Sequence, residues 1–385
     1  LSNNYYRSEY TNAYFRLDVD INLNNRLWTP IASFTGVFDG NNKTIRGLMI
    51  DEEYLGTLGL FSNVSGGEVK NLTLDSPKVF LPNWDYGSTG ALVAVAEDSD
   101  FSNITINNPT IHATWWTGGV AGEGYRSTFD NCHVVGGEID NNDWVTGGIV
   151  GGSYDVTITN SSVIGTYIHT SADNWANDLG GIIGRAHFQT TIQNCLFDGE
   201  IDATYTYAGG IVGKTYTDNN DYGVLVVPVL NIDNCYSFGT VSGNGYIGGI
   251  LGYDDGIATI TNTESFASVS GNNDIGGIVG ASSSQTTIKN STSAGSVSGS
   301  SNAGLIVGSG NAIYATANVF PEITEMSIGD PSDINWTQNA NGHSLKGHIE
   351  IGLEAAFSIS FASAPNFKVY FDKQLLESGV DYTIS

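Results

Sequence analysis

The sequence predicts an all-β chain: a right-handed parallel β-solenoid (β-helix) of about nine coils, followed by a partial β-sandwich-like module at the C-terminal end. Three observations carry this expectation. A glycine ahead of a short apolar strand returns at positions 59, 90, 119, 148, 181, 210, 249, 277 and 304. An asparagine follows it, usually twelve to fourteen residues on: Asn71, Asn103, Asn131, Asn160, Asn194, Asn234, Asn262, Asn290 and Asn318. Each period, roughly 28 residues, is too short for a βαβ unit and has no helical spacing of apolar positions. A coil of two or three short strands cannot bury its own apolar face, so the coils stack at the ~4.8 Å strand spacing and the core forms inside the stack.

Along the chain, residues 1–50 read as an opening cap and the repeat continues to about residue 320. One interval breaks step, from Gly210 to Asn234. Residues 214–230 are therefore expected to leave the solenoid as a protruding hairpin. Pro321, Gly329, Asp330, Pro331 and Ser332 mark a linker or cap over 321–347. Residues 348–385 alternate like strands of a separate module. Phe367-Lys368-Val369-Tyr370-Phe371-Asp372 and Gly379-Val380-Asp381-Tyr382-Thr383 resemble the start of an immunoglobulin-like sandwich. A start at Leu1 and an end inside that module suggest part of a longer surface protein.

Charge excludes several classes of partner. With 14 Lys and Arg against 40 Asp and Glu, the net charge of −26 repels nucleic acid and anionic lipid. No apolar run reaches 18 residues, so no membrane insertion is expected. The three cysteines make no disulfide framework. Cys132, Cys195 and Cys235 each follow a repeat asparagine, where other coils carry Ser161, Thr263 or Ser291, and read as small inward thiols left free. No cofactor is expected. The acidic loops admit calcium, with Asp18-Val19-Asp20 and Asp98-Ser99-Asp100 as the best short candidates, although no Asp-x-Asp-x-Asp-Gly loop occurs.

The repeat asparagines have a physical role. In Phe129-Asp130-Asn131-Cys132-His133-Val134, residues 129, 132 and 134 point inward and Asn131 occupies the corner. Asparagine tolerates left-handed backbone geometry, and stacked amides hydrogen-bond from coil to coil. A buried ladder of this kind would shield the sequons at Asn71, Asn103, Asn160 and Asn290, leaving Asn42, Asn63 and Asn335 as glycosylation acceptors.

The pattern resembles the GLUG-type repeat of bacterial and archaeal surface proteins and adhesins. The residues that carry the resemblance are Gly-Gly-Ile-Val-Gly at 147–151, 209–213 and 276–280 and Ile232-Asp233-Asn234-Cys235-Tyr236 with Gly239-Thr240-Val241-Ser242-Gly243. Trp28-Thr29-Pro30-Ile31 and Phe38-Asp39-Gly40-Asn41-Asn42-Lys43-Thr44-Ile45 open it, and the match spans about 14–310. The resemblance implies an extracellular or cell-surface solenoid and says little about ligand.

Chemistry concentrates at two corners. Just before the repeat glycine, successive coils offer Tyr54, then Trp84 and Tyr86, Trp115 and Trp116, Trp144, Trp175, Tyr205 and Tyr207, and Tyr246. Asp85, Asp140, Asp143, Asp173, Asp178 and Asp202 stand beside these rings. Rings with carboxylates along a rigid groove suit a polysaccharide or cell-surface glycan, because sugar faces stack on the rings and hydroxyls donate to the carboxylates. The groove predicted on this basis comprises Trp84, Tyr86, Trp115, Trp116, Asp143, Trp144, Asp173, Trp175, Asp178, Tyr207 and Tyr246. Against it stands a plain corner spine in which the rings pack on one another.

After the glycine, Arg126, Arg185 and Lys214 gather with Tyr125, Tyr154, Asp155, His187, Tyr216, Asp254 and Asp255. That corner reads as charge balance, or as a site for an acidic sugar or catalysis. An adhesin or stalk with a glycan groove is the leading function. A polysaccharide hydrolase or lyase using Asp143 with Asp173 or Asp155 is the alternative, and a structural filament or layer subunit comes third.

Overall fold

The computed structural model describes residues 13–51, 56–81, 87–170, 178–203, 207–219, 225–319, 369–371 and 374–376. Among them there is no helix, and parallel strands stack as a solenoid of about nine turns. A representative coil runs through strands Trp116–Gly118, Ala121–Tyr125, Thr128–Val135 and Glu138–Asn141. Each pairs in parallel with its counterpart on the next coil.

Alternation along each strand sends every second side chain inward, and stacking places like residues on like. Val69, Phe101, Phe129, Ile158, Ile192, Ile232, Ile260 and Ile288 follow one another in register. All are fully buried, and such a side chain contributes about 1.5–3 kcal/mol. Phe101 and Phe129 stack at 4.9 Å, 8° from parallel.

The asparagine ladder forms at one corner. Asn103 donates to Asn71 (2.9 Å), Asn131 to Asn103 (2.8 Å), Asn194 to Asn160 (3.1 Å), Asn234 to Asn194 (2.7 Å) and Asn290 to Asn262 (3.4 Å). Asn160 and Asn262 donate instead to Asp130 and Asp233. All of these asparagines have φ between 48° and 56°, the left-handed turn expected of them.

Two details of the expected ladder change. Asn318 pairs with Thr292, not Asn290, because the last strand shifts register between Ser282 and Ser291. The ladder is also not buried: Asn103, Asn160, Asn194, Asn262 and Asn290 are exposed. The corner turns these amides toward solvent, so burial does not shield the sequons at Asn103, Asn160 and Asn290; glycosylation there would instead break a ladder bond.

The glycine phase changes by one residue in two coils. Gly90, Gly118, Gly147, Gly180, Gly209, Gly248, Gly276 and Gly304 form one column. Positions 90 and 304 thus belong with the first glycine of each pair, and 119, 148, 181, 210, 249 and 277 with the second. The excursion is shorter than 214–230. Val212–Thr215 and Val229–Asp233 pair with both neighbouring coils, and only residues between them leave the stack. There Asp218–Asn219 pairs antiparallel with Leu225–Val226.

Cys132, Cys195 and Cys235 are buried and free. Burial pushes the Cys132 thiol up, and the adjacent Cys195 together with burial does the same for Cys235. At the C-terminal end, Val369–Phe371 pairs antiparallel with Gln374–Leu376. The rest of the 348–385 module and all of the 321–347 segment lie outside the described residues.

Candidate functional site

The paired-glycine bend creates the site. A Cβ on Gly180 would overlap the carbonyl oxygen of Ile183, and one on Gly147 that of Val150. Hydrogen alone lets the flanking strands approach this closely. Outward side chains three residues before the second glycine therefore meet those four residues after it. Along the stack, Ser88 meets Glu123, Trp116 lies against Gly152, Asp178 meets Arg185, and Tyr207 and Tyr246 meet Tyr253. The two corners that look separate in the sequence are the two walls of one cleft.

Arg185 occupies the centre. It is 4% exposed, and its Nε pairs with Asp178, which is fully buried. Its guanidinium carbon lies 4.7 Å from the Trp144 ring centroid, 4.9 Å from Tyr216 and 5.4 Å from Trp116. Gly152 precedes Arg185 in the same column, and a Cβ there would strike the Trp116 ring, so this glycine makes room for the indole. Trp144 packs on Trp115 at 4.5 Å and on Trp116 at 5.5 Å. Trp115 has φ 63°, a left-handed backbone that costs a non-glycine residue about 1–2 kcal/mol. Its carbonyl accepts from Asn141 Nδ2 and from the Val145 N–H, which hold the loop in place.

On the opposite wall, Tyr125, Tyr154 and His187 stack on successive coils at 4.6 and 4.3 Å. Tyr125 and Ser88 both donate to Glu123, whose side chain is nearly buried. Burial pushes the Tyr125 and Tyr154 phenols up. His187 is 1% exposed; Nδ1 lies 3.4 Å from Asp218 Oδ2 on the excursion, without hydrogen-bond geometry. Burial, with Arg185 and Lys214 nearby, lowers its pKa to about 3.

This histidine makes stability depend on pH. The unfolded imidazole binds a proton below its ordinary value of about 6.5 and the folded one only below about 3, so acid favours unfolding across that window. The stability of the protein is expected to fall more steeply with acid than that of His187→Phe, by about 1.4 kcal/mol per pH unit between pH 6 and 4. Denaturant melts of both proteins over that range check this. Equal slopes would show an imidazole that titrates normally in the native state.

Lys214 follows Arg185 in register on the next coil. Its Nζ lies 4.2 Å from the Tyr207 ring centroid, 5.1 Å from Tyr216 and 5.4 Å from Tyr253. Tyr207 and Tyr246 stack at 5.1 Å, 12° from parallel, and burial pushes the Tyr207 phenol up to about 12.

Of the groove residues expected from sequence, Trp115, Trp116, Asp143, Trp144, Tyr207 and Tyr246 are half-buried at the cleft or its rim. Burial pushes the Asp143 carboxyl up. Asp178 lies at the floor, committed to Arg185. Trp84, Tyr86, Asp173 and Trp175 lie outside the described residues. From the second corner, Arg126 pairs with Asp98 and Glu97 on the surface. Asp155 accepts from the Gln189 N–H, and buried Asp254 accepts from Thr215 and Thr286. Sequence reasoning missed Glu123, Gly152 and Tyr253; their shared offset of four residues after the second glycine is the signal that finds them.

The calcium candidates have other partners: Asp20 accepts from Thr44, Asp98 pairs with Arg126 and Asp100 accepts from Thr128. Among the described residues no three His, Cys, Asp or Glu side chains gather as a metal site, and no helix is long and apolar enough to cross a membrane.

Fold and site together define a parallel β-solenoid with an aromatic, cation-bearing cleft beside its glycine bend. No family model matches the chain. No curated protein matches it either. Among solved structures it is similar to one described as IgA1 Protease, with TM-score 0.46 and 19% identity over 74% of this chain and 20% of that one. The chain thus spans about a fifth of that protein's length, and a likeness this low carries no argument about activity. The resemblance to GLUG-type repeats rests on the residues quoted for it.

Proposed function

We propose that the chain is a surface-displayed or secreted adhesin or stalk segment that binds a carbohydrate polymer along this cleft. The observation that carries the reading is the set of half-buried rings, Trp116, Trp144, Tyr207, Tyr246 and Tyr253, on four coils along one cleft, with Asp178 and Arg185 on the coil between Trp144 and Tyr207. Coils repeat at ~4.8 Å, close to the length of one sugar residue, so a linear chain laid along the axis meets a ring or a polar group at each step. Solvent-accessible aromatic surface of this kind is the usual platform for an apolar sugar face. Binding is favoured over cleavage because the acidic side chains at the cleft floor are engaged, Glu123 by two hydroxyls and Asp178 by Arg185.

Affinity electrophoresis against soluble polysaccharides tests the reading. Trp144→Ala is expected to weaken retardation about tenfold or more, in line with the 1–3 kcal/mol typical of a lost aromatic anchor. Some melting loss accompanies it, because Trp144 also supports Trp115, Trp116 and Arg185. A melting loss with undiminished binding would leave the rings as a packing spine. Shortening of the polymer during incubation would replace binding by catalysis.

A further inference from the structure

We infer that the polymer is acidic and that one of its carboxylates is received by Lys214. The inference rests on reading the cleft as a carbohydrate site and adds the chemical class of the sugar.

Among the described residues, Arg46, Lys70, Arg126 and Arg185 each hold a carboxylate within ion-pair distance, while the exposed Arg16, Arg26, Lys78 and Lys289 and the half-buried Lys43 hold none. Lys214 is half-buried, yet it holds none. Its ammonium is surrounded by Tyr207, Tyr216 and Tyr253 instead. An ammonium withdrawn from water without a counterion costs free energy, and ring faces offset only part of it. Asp178 and Asp255 act on it from beyond ion-pair distance: Asp178 holds Arg185, and Asp255 accepts from the Thr217 N–H and from Ser283.

Arg185 and Lys214 thus stand side by side in the cleft, Arg185 paired with Asp178 and Lys214 with no carboxylate at ion-pair distance, in a protein whose net charge is −26. A cation held inside an aromatic cleft without an ion-pair partner is what a site for an anion requires. Tyr207, Tyr246 and Tyr253 extend from that point as surfaces on which the pyranose rings of the same polymer lie. Burial also lowers the affinity of Lys214 for its proton in the empty cleft, and an incoming carboxylate reverses that effect.

The test uses polygalacturonate, its fully methyl-esterified form and dextran sulfate as probes, with the wild-type chain, Lys214→Gln and Lys214→Arg, read by affinity electrophoresis and thermal melting. Wild type is expected to bind polygalacturonate at least tenfold more tightly than the ester. Lys214→Gln should lose that preference while still binding the ester, and Lys214→Arg should keep it. The melting temperature of Lys214→Gln should not fall, because the change removes a half-buried charge that holds no carboxylate. Equal wild-type binding of both polymers, or a preference that survives in Lys214→Gln, overturns the acidic-sugar assignment and leaves the cleft reading standing. Binding of dextran sulfate alone overturns the assignment to a carboxylate. Failure of every polymer to bind overturns the cleft reading and this inference with it.

Discussion

Gly180→Ala is expected to destabilise the solenoid by about 4 kcal/mol or more, among the largest effects open to a single methyl group. The added Cβ would overlap the Ile183 carbonyl oxygen and press on the Gly213 amide of the next coil, and both are backbone atoms held in the ladder. No rotamer relieves the clash; either the bend opens or the coils part. Gly66→Ala is the control. Its φ of 63° carries the left-handed penalty of about 1–2 kcal/mol, yet no atom lies within 4 Å of the added Cβ. Chemical denaturation of the two variants should separate them clearly. Similar losses would mean that close approach at the bend does not limit this fold.

Asp178→Ala should cost about 3–5 kcal/mol, because it leaves the Arg185 guanidinium buried without its carboxylate. The double variant Asp178→Ala with Arg185→Met should recover much of that loss, since the second change removes the stranded charge and Met fills the space among Trp116, Trp144 and Tyr216. A solenoid transmits such damage mainly to adjacent coils. Amide exchange should accordingly rise at Val145–Gly147, Asp178–Gly180 and Tyr207–Gly209 before it rises elsewhere. A double variant no more stable than the single one would remove the buried charge as the cause.

What the sequence revealed follows from repetition. Stacking puts like on like, so the Ile158, Ile192, Ile232, Ile260 and Ile288 strip and the asparagine corner each leave a periodic trace. The cleft leaves almost none, because its residues change from coil to coil: Trp116 gives way to Val145, Asp178, Tyr207 and Tyr246 on one wall, and Glu123 to Gly152, Arg185, Lys214 and Tyr253 on the other. That Asp178 faces Arg185 depends on how sharply the chain bends at Gly180 and Gly181, and only the crowding of backbone atoms there discloses it. Asn318 has the spacing of a ladder member yet stands opposite Thr292, because register shifts accumulate in the final strand, where counting along the chain no longer tracks position in space. Exposure of the ladder leaves no trace in the sequence for a different reason: its amides are satisfied by one another and by Asp130 and Asp233, and satisfaction of that kind does not require burial.

The excursion between Thr215 and Val229 interrupts neither of the strands it joins. Chain that departs from and rejoins the stack at fixed points can change in length and composition without moving the rungs beneath. Duplication of one coil lengthens the cleft by ~4.8 Å and leaves the existing rungs unaltered. Length and local chemistry are therefore separable in this frame: the number of rungs sets how far the stack reaches, and an insertion such as the one carrying Asp218 changes what stands beside it without altering the rungs.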